Sequence, residues 1–312
     1  MQYSLLSRFR GALLGCLIGE TFGDRVGGRW QSMPSGLLKD ASPPTVASGW
    51  TQVAAIGIDS LVRCGGLNLE DWGGAAKTTV KSLLATHSPK VVSLSEAAIA
   101  TLPVALFFHE DTVKQRDMLN QSASFWQGES EASVAILTLG EAIASALKEQ
   151  LHPHTLIPRL LANGAMPDSL VAQELEEVQF LINKGAGLDR AIAQFRRQPA
   201  TPTKAIALAF YCFLSTPEDF RLSVTRAVRI SHQQQTIVAL TGALSGAYNS
   251  LAGIPIGWRL ASTYSSSDMG MLKLAERLFA VWSGVYDDRA AERCFVAAVA
   301  APYVIQRRSR PL

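Results

Sequence analysis

Charge is scarce in this sequence. Of its 312 residues only 18% are Asp, Glu, Lys or Arg, against roughly 25% in an average soluble domain. The 29 Lys+Arg and 26 Asp+Glu leave a formal +3, too small and too scattered to form the basic patch that nucleic acid or an anionic membrane surface requires. Long apolar runs are missing as well. The chain is 48% hydrophobic, which excludes disorder as its main state, yet no segment reaches the ~18 uninterrupted apolar residues of a membrane span. Leu13-Leu14-Gly15-Cys16 looks like a lipoprotein cleavage site, but Arg8 and Arg10 leave only about three apolar residues before Cys16, short of the ~7–15 of a signal peptide. Cysteines are few: Cys16, Cys64, Cys212 and Cys294 lie far apart, with neither a C-x-x-C pair nor zinc-ligand spacing. Buried, reduced thiols in a soluble cytoplasmic protein are the expectation.

Alternating strand patterns are absent too. Apolar positions recur three and four apart over 4–22, 50–64, 71–86, 93–108, 129–150, 155–163, 168–184, 187–197, 203–215, 217–230, 234–250, 268–283 and 288–305, so an all-α fold is predicted. Breaks fall at turn chemistry: Pro34 through Gly49, His87-Ser88-Pro89, His152-Pro153, Gln198 through Pro202 and Ser215-Thr216-Pro217. The last is expected to supply the cap and first-turn proline of the next helix, with Glu218 and Asp219 in its first turn. The texture does not change along the chain, so a single compact domain over 1–312 is expected.

Two stretches carry small residues at helical spacing. Gly11, Gly15, Gly19 and Gly23 stand four apart, as do Gly242 and Gly246 among Ala239, Ala243 and Ala247. A helix-interior glycine costs about 1 kcal/mol relative to alanine, so its repeated use predicts two helices packed backbone to backbone at the centre of the bundle.

The opening Arg8-Phe9-Arg10-Gly11-Ala12-Leu13-Leu14-Gly15-Cys16-Leu17-Ile18-Gly19-Glu20-Thr21-Phe22-Gly23 and the ending Gly242-Ala243-Leu244-Ser245-Gly246-Ala247-Tyr248 with Ile254-Pro255-Ile256-Gly257-Trp258 resemble the ADP-ribosylglycohydrolase family. The resemblance implies an orthogonal all-α domain whose central cleft holds two magnesium ions and cleaves glycosidic bonds of ADP-ribosylated acceptors. Magnesium takes hard oxygen ligands, which that family supplies from a W-T-D-D-T and a G-D-x-D-T segment, each opening a helix. Here the first corresponds to Trp50-Thr51-Gln52-Val53-Ala54 and the second to His232-Gln233-Gln234-Gln235-Thr236.

All four aspartates are thus replaced, by Gln52, Val53, Gln233 and Gln235, and only the hydroxyls of Thr51 and Thr236 survive. A neutral amide oxygen cannot offset a dication's charge, and valine cannot ligate at all. The expectation is therefore no cofactor: the family's magnesium pair is lost, and with it the means of activating water. Four aspartates at these positions would turn the formal +3 into −1, which places part of the charge deficit in one cleft. The family's aspartate after the third glycine is Glu20, an acidic position beyond Gly23 falls near Gly27, and in a segment like G-N-G-x-x-M-R-x-x-P the arginine is Ala100 while Pro103 is kept.

What remains has a functional and a plain reading at each position. The catalytic candidates are weak. Glu20 and Asp24 form an acid pair in the cleft or are solvated near a helix end. His232 is a base or a helix-end polar residue. Asp287-Asp288 is a metal pair or an N-cap, and His152-Pro153-His154 a metal site or a surface loop. Trp30, Trp50, Trp126 and Trp258 stack on adenine or pack the core. Gln233, Gln234 and Gln235 bind a phosphate at a helix N-terminus or fill the old metal cavity. The ligand cleft is assigned to Glu20, Asp24, Thr51, Gln52, Gln233, Gln235 and Thr236.

Three functional expectations follow. The leading one is a protein of this fold that has lost hydrolase activity and binds an ADP-ribose-like small molecule or a protein partner. The second is a metal-independent ADP-ribosyl glycohydrolase or related hydrolase using Glu20, Asp24 or His232. The third is a purely structural interaction module. Neither nucleic acid nor membrane is expected as a partner.

Overall fold

The computed structural model describes residues 3–26, 49–85, 91–126, 130–163, 168–230, 234–263 and 270–285. They form fifteen helices, and no strand occurs among the described residues, as the three-and-four spacing predicts. The first half contains α1 (Leu5–Val26), α2 (Trp50–Cys64), α3 (Leu69–Leu84), α4 (Leu94–Ala100), α5 (Leu102–Phe107), α6 (Thr112–Trp126) and α7 (Ser130–Leu147). The second half adds α8 (Leu156–Asn163), α9 (Leu170–Asn183), α10 (Leu188–Arg197), α11 (Lys204–Ser215), α12 (Phe220–Val228), α13 (Gln234–Gly253), α14 (Ile256–Thr263) and α15 (Met271–Trp282). Among the described residues no helix is long and apolar enough to cross a membrane.

α1 and α13 form the central pair, and the other helices pack around them: α12, α11, α7 and α4 against α13, α15 against both α1 and α2. The glycine stripes explain the pairing. A Cβ built on Gly15 would run into the Gly242 carbonyl oxygen, and one on Gly242 into the Gly15 carbonyl. Gly11 and Gly246 stand in the same relation one turn away, and Gly19 meets the carbonyl of Val238. Each step of four up α1 is a step of four down α13, so the two helices run antiparallel with their backbones in contact.

Near its end α13 kinks at buried Ser250 (φ 60°, ψ −178°), beside Gly11. A kink of this kind releases carbonyls from the helical ladder. Arg8 takes up two of them, donating from Nη1 to Ala247 O at 3.1 Å and Tyr248 O at 2.7 Å, while its Nη2 pairs with Glu149 at 3.2 Å.

Three expectations need correction. The helix expected over 93–108 is two helices, because Pro103 has no N–H for the ladder and its ring crowds the carbonyl four residues back. Thr101 closes α4 and opens α5. The helix expected from 217 begins at Phe220, where Asp219 accepts from Leu222 N at 2.8 Å as the N-cap; an Asp side chain caps better than a proline-flanked threonine whose hydroxyl faces Cys212 O and Ser223. Helix α6 was not expected at all, since its inward stripe of Gln115, Leu119, Ser122 and Ala123 is half polar. Residues 288–305 lie outside the described residues.

Cys16 and Cys212 are buried, and burial pushes the Cys212 thiol up to about 12 and that of Cys16 upward as well. Cys64 is exposed at the end of α2, which corrects the expectation of a buried thiol there. Cys294 lies outside the described residues.

Candidate ligand cleft

The contact between Gly19 and Val238 sets one turn of α1 against the first turns of α13. The next residue, Glu20, turns to a third element. Its Oε1 accepts from Trp50 N at 2.7 Å and its Oε2 from Thr51 N at 3.2 Å, and the Thr51 hydroxyl donates to Oε2 as well. The start of α2 and the first turns of α13 therefore both reach the same turn of α1, residues 19–20.

The local sequence explains why Glu20 is needed there. The residue before α2 is Gly49, which has no side chain to cap the helix, so the first N–H groups require an acceptor from elsewhere. Glu20 supplies it across the helix interface, and its negative charge suits the positive end of α2. Gly49 is also the residue that lets the carboxylate approach, because a Cβ at position 49 would lie 2.5 Å from Glu20 Oε1. Glu20 is only 2% exposed. Burial pushes its carboxyl up to about 7, against the downward pull of the Thr51 and Trp50 hydrogen bonds and with a small upward push from Asp24.

Of the residues assigned to the cleft, the structure brings Glu20 and Thr51 into contact. Thr51 is buried, Gln52 points to solvent, and Gln235 and Thr236 are half-buried in the first turn of α13. Asp24, one turn beyond Glu20, is exposed. The two acids thus stand in different surroundings: the Glu20 carboxyl is sealed beneath a helix start, and that of Asp24 is exposed to water while its charge still reaches Glu20. His232, Gln233, Gly27, Trp30 and Asp287-Asp288 lie outside the described residues. His152 and His154 are exposed, and no three His, Cys, Asp or Glu side chains among the described residues could hold a metal ion.

The described tryptophans are packed. Trp258 lies against Phe22 and Phe220, ring centroids 4.7 and 6.2 Å apart, and Trp126 meets Trp72 edge-on at 5.2 Å. Trp50 is buried, with its indole N–H unpartnered. Several buried titratable groups carry no signal in the sequence, among them Glu174 and His109; His109 packs among Phe9 and Trp282 at 5.5 and 5.0 Å. Its Nδ1 lies 2.8 Å from Leu106 O, and burial pulls its imidazole down to about 4. Nothing local marks this histidine, because what it meets comes from both ends of the chain.

The family model for ADP-ribosylglycohydrolases matches residues 1–288. The chain belongs to the ADP-ribosylglycohydrolase family. Among solved structures, one described as an ADP-ribosylglycohydrolase-related protein complex is 20% identical, with 89% of this chain and 99% of that chain covered and a TM-score of 0.63. At that identity the likeness speaks for the fold. No curated protein matches the sequence.

Within the ADP-ribosylglycohydrolase fold, the altered motif positions take distinct environments. Val53 is fully buried, with its carbonyl accepting from the Trp72 indole at 3.1 Å. Ala100, matched to an arginine, is fully buried in the core, and Pro103 lies in the first turn of α5.

Proposed function

We propose that this chain is a single-domain ADP-ribosylglycohydrolase-fold protein that has lost dimagnesium hydrolysis and works by binding. Its ligand is an ADP-ribose-like small molecule or a protein partner, taken up where Glu20, Thr51 and the start of α13 meet. A soluble cytoplasmic setting, with neither nucleic acid nor membrane as partner, accords with the weak charge balance.

One observation carries the reading: the Thr51 hydroxyl is donated inward to Glu20, and both Glu20 oxygens are occupied by the N-terminus of α2. Two magnesium ions need several anionic oxygens turned toward a shared space. Here the nearby buried carboxylate is committed to a helix cap, and the matched positions on α2 offer an exposed amide and a buried valine. These residues do not fit a magnesium pair, and no step is assigned to one. The same burial weighs against Glu20 as a general acid, since a catalytic carboxyl must reach the substrate.

The experiment is a hydrolysis assay on ADP-ribosylated protein and on free ADP-ribosyl glycosides, with and without magnesium. The reading expects no release of ADP-ribose in either condition. Magnesium-dependent release would overturn it, and magnesium-independent release abolished by His232→Ala would establish the metal-independent hydrolase instead.

A further inference from the structure

A cavity of about 350 Å³ opens between α10, α11, the residues just after α12 and the first turn of α13. It is at the small end of the range for ligand pockets, roughly 300–1,000 Å³. Phe195, Leu208, Ile230 and Ile237 wall it, one from each of these four segments, and all four are buried. Ile192 is half-buried, and the lining residues Arg196 and Ala200 are exposed, so the apolar space communicates with solvent on one side.

The charged and hydroxyl groups around this space are already engaged. Lys204, at the start of α11, donates from Nζ to Gln198 O at 2.9 Å and to Pro199 O at 2.6 Å. The Thr201 hydroxyl donates to the buried carboxylate of Glu174 on α9, which also faces Thr203 and Lys204. Arg196, in the last turn of α10, has an interaction of its own. A charged ligand would therefore shed its water with no free counter-charge to replace it, whereas an uncharged apolar one loses little and covers exposed hydrocarbon. Size narrows the class further. A cavity of about 150 Å³ walled by Leu, Ile and Phe takes up benzene; one of about 350 Å³ with the same wall chemistry has room for two fused rings.

We propose that this cavity binds a compact uncharged molecule of two fused rings, the rings against Phe195, Leu208, Ile230 and Ile237 and its polar substituent on the solvent side near Arg196 and Ala200. The walls are too apolar for a polyphosphate such as ADP-ribose. The site is separate from the Glu20–Thr51 cleft, and the proposal stands or falls independently of the function assigned there.

Calorimetry with 2-naphthol at pH 7 tests it, with 2-naphthoate as the same rings carrying a charge and phenol as a single ring. One 2-naphthol per chain is expected, with 2-naphthoate and phenol each at least about tenfold weaker, the first for its uncompensated desolvation and the second for the unfilled space. In wild-type protein, nuclear Overhauser contacts should join the naphthol ring protons to the side chains of Phe195 and Ile237. Ile192→Trp, at the half-buried lining position, should weaken 2-naphthol about tenfold or more by filling the cavity, while the thermal midpoint of the free protein stays close to wild type. Absence of saturable 2-naphthol binding, equal or tighter binding of 2-naphthoate or phenol, absence of contacts to Phe195 and Ile237, or binding untouched by Ile192→Trp would overturn the proposal. Should Ile192→Trp fail to fold, the three-ligand comparison and the contacts in wild-type protein still decide.

Discussion

Thr51 gives both its backbone N–H and its hydroxyl to the carboxylate of Glu20, 31 positions earlier in the chain. The N-terminus of α2 is therefore capped by α1, and the start of a helix that resembles a metal-binding motif is fixed by a tertiary contact. Removing that acceptor leaves the Trp50 and Thr51 amides buried without a partner. Glu20→Ala is expected to cost about 2–4 kcal/mol, combining a lost cap with unsatisfied donors. Glu20→Gln, which keeps one acceptor oxygen, should cost less. Urea unfolding with an unchanged m-value reads both, and a neutral Glu20→Ala would remove the capping role.

The same carboxyl gives stability a pH dependence. Its folded value of about 7 lies above the ~4.3 of an unfolded glutamate, so the native state holds more protons between those limits. Stability is then fully present below about pH 4.3 and falls as pH rises toward about 7, by on the order of 3 kcal/mol. His109 acts in the opposite sense. Its folded value of about 4 lies below the ordinary ~6.5, so stability is present above about pH 6.5 and is lost as pH falls toward 4. Unfolding midpoints across pH 4–8 should show the downward slope removed in Glu20→Gln and the acid-side loss reduced in His109→Phe.

The glycines of α1 separate by context. Gly15→Ala would push a methyl into the Gly242 backbone, where no flexible side chain can give way. A loss of about 3 kcal/mol or more is expected, at the upper end of overpacking costs. Gly74, exposed in the interior of α3 with nothing within 4 Å of a built Cβ, should behave in the reverse way. Gly74→Ala is expected to stabilise by about 0.5–1 kcal/mol. Thermal melts of the two variants, measured together, should move in opposite directions.

Gln115 is the polar strut of α6. Its Nε2 donates to Ala105 O at 2.8 Å and Gly140 O at 3.3 Å, tying α5 to α7. Gln115→Leu strips both buried carbonyls of this donor and should cost about 1–3 kcal/mol in chemical unfolding. An unchanged midpoint would mean that water replaces the amide.

The helical class and the central pair are legible in the sequence because both rest on local periodicity. The stripes at Gly11, Gly15 and Gly19 and at Gly242 and Gly246 predict backbone contact between two helices, and those helices meet through these residues. What periodicity does not reach is a polar residue facing inward. Gln115 and Ser122 hide α6, and Asp219 rather than Thr216 caps the next helix because the Thr216 hydroxyl is already engaged with Cys212 O and Ser223. Glu20 is the clearest case. Read locally, it is a charged residue near a helix end. Its role comes from Gly49 before Trp50, a helix start with no side-chain acceptor of its own, which is a signal only when the two segments are known to touch.

The central claim is that the cleft beside Glu20 and Thr51 no longer serves a magnesium pair. Calorimetric titration of magnesium into the purified protein at neutral pH tests it most directly. The account predicts no saturable heat and no change in thermal midpoint with magnesium or chelator; tight binding of two magnesium ions per chain, raising that midpoint as ligand linkage requires, would contradict it.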